Sequence, residues 1–243
     1  MELKNYQIQV IRDLERFLEL LIEKQSISSA YSTLWNEKGV NVGIDGMPPY
    51  KTELAGVPQV CFKVPTGGGK TFLAANSIKP IFDSMPHIHP KAVVWLVPSD
   101  AILTQTYRTL TDKNHDYRKK IDVDFGNKVE IYSKQQLLNG QNFNPTSVSD
   151  NLSVFVLSYD SFRTSKKDGR KAYQENGSLL PFVRFKQDSG SLLEDTDETA
   201  LIQVIRKLNP VVIVDESHHA TSKLSKEMLQ LSLIHISEPT RPY

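Results

Sequence analysis

Two short stretches of the chain carry groups that could do chemistry together. The first is Pro65-Thr66-Gly67-Gly68-Gly69-Lys70-Thr71, which follows an apolar run at 60–64 and opens a helix-patterned stretch at 71–82. A strand, a glycine turn and a Lys-Thr pair at a helix start are what binding of a triphosphate requires. Glycines let successive backbone N–H groups turn inward without a Cβ clash. The N-terminus of the next helix adds a partial positive charge. Lys70 can then reach the β- and γ-phosphates, and the Thr71 hydroxyl can hold Mg²⁺. Thr66, Gly67, Gly68, Gly69, Lys70 and Thr71 are therefore the expected ATP-binding residues. The strict pattern for such a loop has glycine where this chain has Val64.

The second stretch is Val211-Val212-Ile213-Val214-Asp215-Glu216. Phosphoryl chemistry on a bound triphosphate needs a carboxylate for the metal and a group that activates water. An apolar strand ending in two acids supplies both: Asp215 to hold Mg²⁺ and Glu216 to orient or deprotonate the attacking water. Lys70, Asp215 and Glu216 are the expected catalytic residues, with ATP and Mg²⁺ as cofactors. His218 and His219 follow closely, but adjacent histidines point different ways and have no third ligand at metal spacing, so they are assigned no metal. His87 and His89, between Pro86 and Pro90, read as a surface loop.

The rest of the chain must place these two stretches side by side. Residues 6–23 repeat Ile11, Leu14, Leu18 and Leu21 at helical spacing, with Phe17 and Ile22 widening the stripe. Residues 25–58 read as an irregular surface insertion, broken by Gly39, Gly43, Gly46, Pro48, Pro49 and Gly56. Apolar runs at 60–64, 93–97, 129–132, 154–157 and 211–214 alternate with helical patterns at 71–82, 101–110 and 200–208, and Pro80 marks a kink or an end. Runs without in/out alternation suit parallel strands covered on both faces, so the fold class is α/β with an open, mostly parallel sheet flanked by helices. Residues 163–199 are polar, with Lys166, Lys167, Arg170 and Lys171 ahead of Glu194, Asp195, Asp197 and Glu198; a solvated insertion is preferred over a DNA-binding patch.

Composition bounds the rest. With 39% apolar and 23% charged residues in a chain of 243, this is an ordinary globular protein. A net charge of +1 gives no hint of a nucleic-acid partner, so any such contact must come from motifs. The single cysteine, Cys61, is expected as a small buried strand residue. No apolar run approaches the ~20 residues of a membrane span and no secretory signal opens the chain, so a cytoplasmic location without membrane attachment is expected.

With these motifs in place, the chain resembles superfamily 2 ATPases with a DExH box, in particular the Res subunit of type III restriction enzymes, up to about residue 230. Leu3-Lys4-Asn5-Tyr6-Gln7 is similar to the element in which a glutamine reads adenine, which makes Gln7 the adenine contact. The glycine loop is similar to motif I, where helicases relax the position of Val64. Trp95-Leu96-Val97-Pro98-Ser99-Asp100 is similar to motif Ia, and Ser158-Tyr159-Asp160-Ser161-Phe162-Arg163 to a later DNA-side motif. Asp215-Glu216-Ser217-His218 is similar to motif II, with Ser217 where many relatives have alanine. The resemblance implies a RecA-like phosphate-loop domain over 59–230, preceded by an N-terminal segment, 1–58, with the adenine-reading element. It implies ATP hydrolysis driving translocation on double-stranded DNA, beside a methyltransferase or specificity subunit. Ser99 either donates to a DNA phosphate with its helix N-terminus or simply caps that helix. Two other readings stand: a DExH helicase of repair or defence without a nuclease, and a nucleotide-binding module that never hydrolyses.

The end of the chain, 231–243, departs from the family pattern. Leu231 to Pro242 resembles a translated transposase-type sequencing-library adapter; the alternative is a short genuine amphipathic ending. On the adapter reading the chain is a truncated first helicase domain. It would lack the second domain and its arginine, worth ~10³–10⁵ in turnover, and would hydrolyse ATP poorly. A missing strand is expected to leave an apolar sheet edge or face exposed as well.

Overall fold

A computed structural model describes residues 2–51, 56–65, 67–163, 165, 167–183, 199–215 and, for backbone alone, 235–237. Helix α1, Asn5–Lys24, forms because its apolar positions fall on one face: Ile11, Leu14, Phe17 and Leu18 are buried. The chain turns at Gln25, in the left-handed region at φ 53°, and Ser26 caps α2, Ile27–Glu37, by accepting the Ser29 N–H at 3.3 Å. Here the structure corrects the sequence reading, which took everything from 25 to 58 as irregular. The breakers begin only at Gly39, and the eleven residues before it are helical.

The strands are β1 Gln59–Cys61, β2 Ala92–Val97, β3 Val129–Ser133, β4 Leu152–Ser158, β5 Val211–Val214 and β6 His235–Ser237. They form one sheet in the order β1-β6-β5-β2-β4-β3, and every described pairing is parallel. Helices α3 Lys70–Ser84, α4 Asp100–Thr111, α5 Asp116–Asp124, α6 Lys134–Asn139, α7 Pro145–Asp150, α8 Lys167–Arg170 and α9 Leu201–Lys207 make the connections. Pro80 lies inside α3 and does not end it.

Alternate residues of the central strands feed two cores, one on each face, as period-two side chains require. Val93, Trp95, Val97, Val154, Val156, Val211 and Ile213 share a cluster with Ile11, Leu14 and Leu18 of α1 and Leu73 and Ile78 of α3. Val94, Leu96, Phe155, Leu157, Val212 and Val214 join Leu201, Val204 and Ile205 of α9. Covering both faces is why β2, β5 and the middle of β4 (Val154 to Leu157) read as apolar runs.

Two further expectations are corrected. Cys61 is exposed: in β1 and the residues after it, Phe62 and Val64 point inward while Cys61 and Lys63 point out. The stretch 163–199 is not simply solvated where it is described, because Ala172, Leu179 and Phe182 are buried in the second core. Of the charged residues there, Lys166, Glu194, Asp195, Asp197 and Glu198 lie outside the described residues. The sheet also includes a strand from 231–243, the stretch expected to be foreign: β6 pairs in parallel with β1 on one side and β5 on the other.

Candidate nucleotide site

The phosphate loop leaves β1 through the buried Phe62 and Val64 and runs into α3. Gly67 and Gly69 adopt φ of 74° and 72°, the left-handed region that side chains avoid. Gly69 is also the N-cap of α3, and its carbonyl accepts the Leu73 N–H at 2.9 Å. Gly68 closes a turn by donating its N–H to the Pro65 carbonyl at 2.9 Å. A Cβ on Gly68 would lie 2.5 Å from Val64 Cγ1 and 2.8 Å from that same carbonyl oxygen. The departure at Val64 and the glycine at 68 therefore belong together: Val64 fills the space a side chain at 68 would enter, and the Pro65 carbonyl crowds that space further. Lys70 and Thr71 are half-buried in the first turn of α3, while Thr66 lies outside the described residues.

The N-terminal helix reaches this loop. Gln7 is 4% exposed, and its Nε2 donates to the Gly68 carbonyl at 2.8 Å while its Oε1 accepts the Lys4 N–H at 2.9 Å. Tyr6 donates its hydroxyl to the same Gly68 carbonyl at 2.7 Å. A Cβ on Gly69 would come within 2.7 Å of Gln7 Nε2, so Gly69 is required by that approach as well as by its φ. Tyr6 was passed over in the sequence, where it reads as one more position in the motif around Gln7.

Asp215 follows β5 directly, half-buried, its N–H donating to the Leu96 carbonyl at 2.9 Å. Cys61 is level with Ser237, and Ser237 with Val214. The glycine loop and Asp215 thus leave the same C-terminal edge of the sheet two strands apart, about 10 Å at the usual strand spacing. Glu216, Ser217, His218 and His219 lie outside the described residues. Tyr159, just after β4, is buried, and burial raises its phenol above the ordinary range, with the negative charge of Asp215 adding to the effect. Its hydroxyl has no hydrogen-bond partner among the described residues. The sequence placed Tyr159 in a DNA-side motif and gave no sign that it feels Asp215.

Farther along the same edge, a cleft of about 870 Å³ opens among Asp100, Ser133, Lys134, Ser158, Asp160 and Lys171. It joins the two motifs assigned to the DNA side: Ser158 Oγ donates to Asp100 Oδ1 at 3.4 Å. Ser99 caps α4, accepting the Ile102 N–H at 3.5 Å. His87 and His89 are exposed.

These residues fit Mg²⁺ and ATP. The loop is tight and glycine-dependent, it opens a fifteen-residue helix, and a half-buried carboxylate stands at the same sheet edge. A family model for the type III restriction enzyme res subunit matches residues 1–239. The chain belongs to that family. Membership makes it a helicase-type ATPase motor domain, and the parallel sheet flanked by helices is the architecture expected of one. The res-subunit match runs past residue 230 and includes β6. No curated protein matches the sequence. No described helix of this res-family chain is long and apolar enough to cross a membrane.

Proposed function

We propose that the chain is the ATP-binding motor domain of a type III restriction subunit, whose nucleotide cycle drives movement on double-stranded DNA beside a methyltransferase or specificity subunit. The observation that carries this reading is the glycine loop, Gly67 to Gly69, opening α3 at the same sheet edge as Asp215. Gly67, Gly68 and Gly69, with Thr66, line the phosphate chain; Lys70 faces the β- and γ-phosphates; Thr71 and Asp215 hold Mg²⁺; Gln7 contacts adenine. Bound Mg-ATP supplies the phosphoanhydride bond whose cleavage powers the motor. Glu216 accepts the proton of the attacking water. The DNA strand runs through the cleft around Ser158 and Lys134, a reading supported by the two motifs similar to DNA-side ones that line it. Nucleotide titration of the wild type and of Lys70→Ala tests the central claim. Losing one charged donor to phosphate weakens binding by roughly 10- to 100-fold. Equal affinities for the two proteins would remove the phosphate-loop assignment.

A further inference from the structure

A run of three glycines is the part of a nucleotide site with the most conformational freedom to lose on binding. In this protein the middle glycine is held from both ends of its own residue. Its N–H is taken by the Pro65 carbonyl, and its carbonyl accepts two side-chain donors, Tyr6 Oη at 2.7 Å and Gln7 Nε2 at 2.8 Å. A carbonyl oxygen has two lone pairs, so this pair of donors saturates it. Both donors stand on α1, whose Ile11, Leu14 and Leu18 share a core with Leu73 and Ile78 of α3. The loop is thereby tied to the same rigid body that carries its helix.

The two donors differ in what they have left. Among the described residues Gln7 keeps one amide hydrogen and one lone pair after its bonds to Gly68 and Lys4, enough to meet a base. Tyr6 has a single hydroxyl proton, and it goes to the loop. We propose that Tyr6 is a positioning residue for the phosphate loop, setting the Gly68 peptide for the phosphate chain of any ligand and contributing nothing to base recognition. This rests on the phosphate-loop reading and adds to it a division of labour between neighbours: Tyr6 serves the loop alone, while Gln7 serves both the loop and the base.

The test is Tyr6→Phe in the full chain, a change that removes one oxygen from a residue that is 41% exposed. Binding is measured for Mg-ATP directly and for inorganic tripolyphosphate by displacement of labelled ATP. Loss of a hydrogen bond of this kind weakens both ligands in parallel, by about 3- to 10-fold. Gln7→Ala weakens ATP more than tripolyphosphate. Without ligand, amide exchange in Tyr6→Phe accelerates over residues 67–71 and is unchanged over 10–22, which a general loosening of α1 would not produce. Three results overturn the proposal: unchanged tripolyphosphate affinity in Tyr6→Phe, a loss confined to ATP, or faster exchange along α1. Wild-type protein that binds ATP but not tripolyphosphate also overturns it, while leaving the nucleotide site intact. Wild-type protein that binds neither removes the phosphate-loop reading and this proposal with it.

Discussion

Replacing Gly68 with alanine places a methyl carbon 2.5 Å from Val64 Cγ1 and 2.8 Å from the Pro65 carbonyl oxygen. Contacts between carbons are most favourable near ~3.5–4.0 Å, so both neighbours are deep in the repulsive range. Gly68 does not itself have a positive φ, so the obstacle is steric and not a forbidden backbone angle. Overpacking of this kind costs about 1–3 kcal/mol. Val64→Ala, at a side chain only 6% exposed, removes two methyl groups and costs about 1–2.5 kcal/mol from lost burial and the space left behind. In the double variant the new methyl at 68 enters the space vacated at 64, and only the clash with the Pro65 carbonyl remains. The double variant is therefore less destabilised than the sum of the singles by about 0.5–2 kcal/mol. Urea unfolding of the four proteins, at a common denaturant slope, measures this coupling. Additivity within about 0.3 kcal/mol would show that Val64 and Gly68 do not share the space, and the account of this loop's departure from the strict pattern would fail.

Three more expectations follow from particular side chains. Glu216→Gln keeps ATP affinity and lowers turnover by roughly 10²-fold or more in a form of the protein that hydrolyses ATP; turnover within a few-fold of wild type would move the base elsewhere. Arg118 is buried and donates to Asp122 Oδ1 at 2.8 Å and to the carbonyls of Leu110 and Val129 at 3.2 and 3.0 Å, so Arg118→Ala strands a carboxylate and two acceptors. It destabilises by about 3–5 kcal/mol in urea unfolding, and a loss under about 1 kcal/mol would contradict the network. Burial raises the phenols of Tyr132 and Tyr159 above their ordinary value of 10.0, so their contribution is complete below that pH and is lost as pH climbs through the higher native values. The urea midpoint falls above about pH 10, less steeply in Tyr132→Phe; identical slopes for the two proteins would count against it.

The parts of this fold that were legible in the sequence are those where burial forces a simple pattern. Strands β2 and β5 are covered on both faces and apolar throughout, and β4 is apolar from Val154 to Leu157. The glycine loop was legible because Gly67 and Gly69 occupy backbone angles open to few other residues. Helix α5 escaped notice because part of its buried side is the ion pair Arg118–Asp122, where a search for apolar spacing finds charges. Helix α2 was hidden by the glycines and prolines after it, although Ser26 marks its start. Cys61 misled because an apolar neighbourhood was read as burial on both faces, while β1 stands at one end of the sheet order. The Tyr6–Gly68 bond joins residues 62 positions apart, and no local pattern encodes such a contact.

The position of β6 also sets a clock. Among the described strands β1 has only β6 for a neighbour, and β6 in turn is joined to β5. The strand that carries the phosphate loop is made before β6 but gains its described neighbour only after residues 235–237 have emerged. At ~5–20 residues per second, the interval between making β1 and making β6 is on the order of ten seconds or more. Pairing across such a sequence distance is also slow to form, because the intervening loop must close first. The strands β2, β3, β4 and β5, by contrast, can come together before β6 exists. Four described strands can thus assemble before the strand that carries the phosphate loop has its described neighbour.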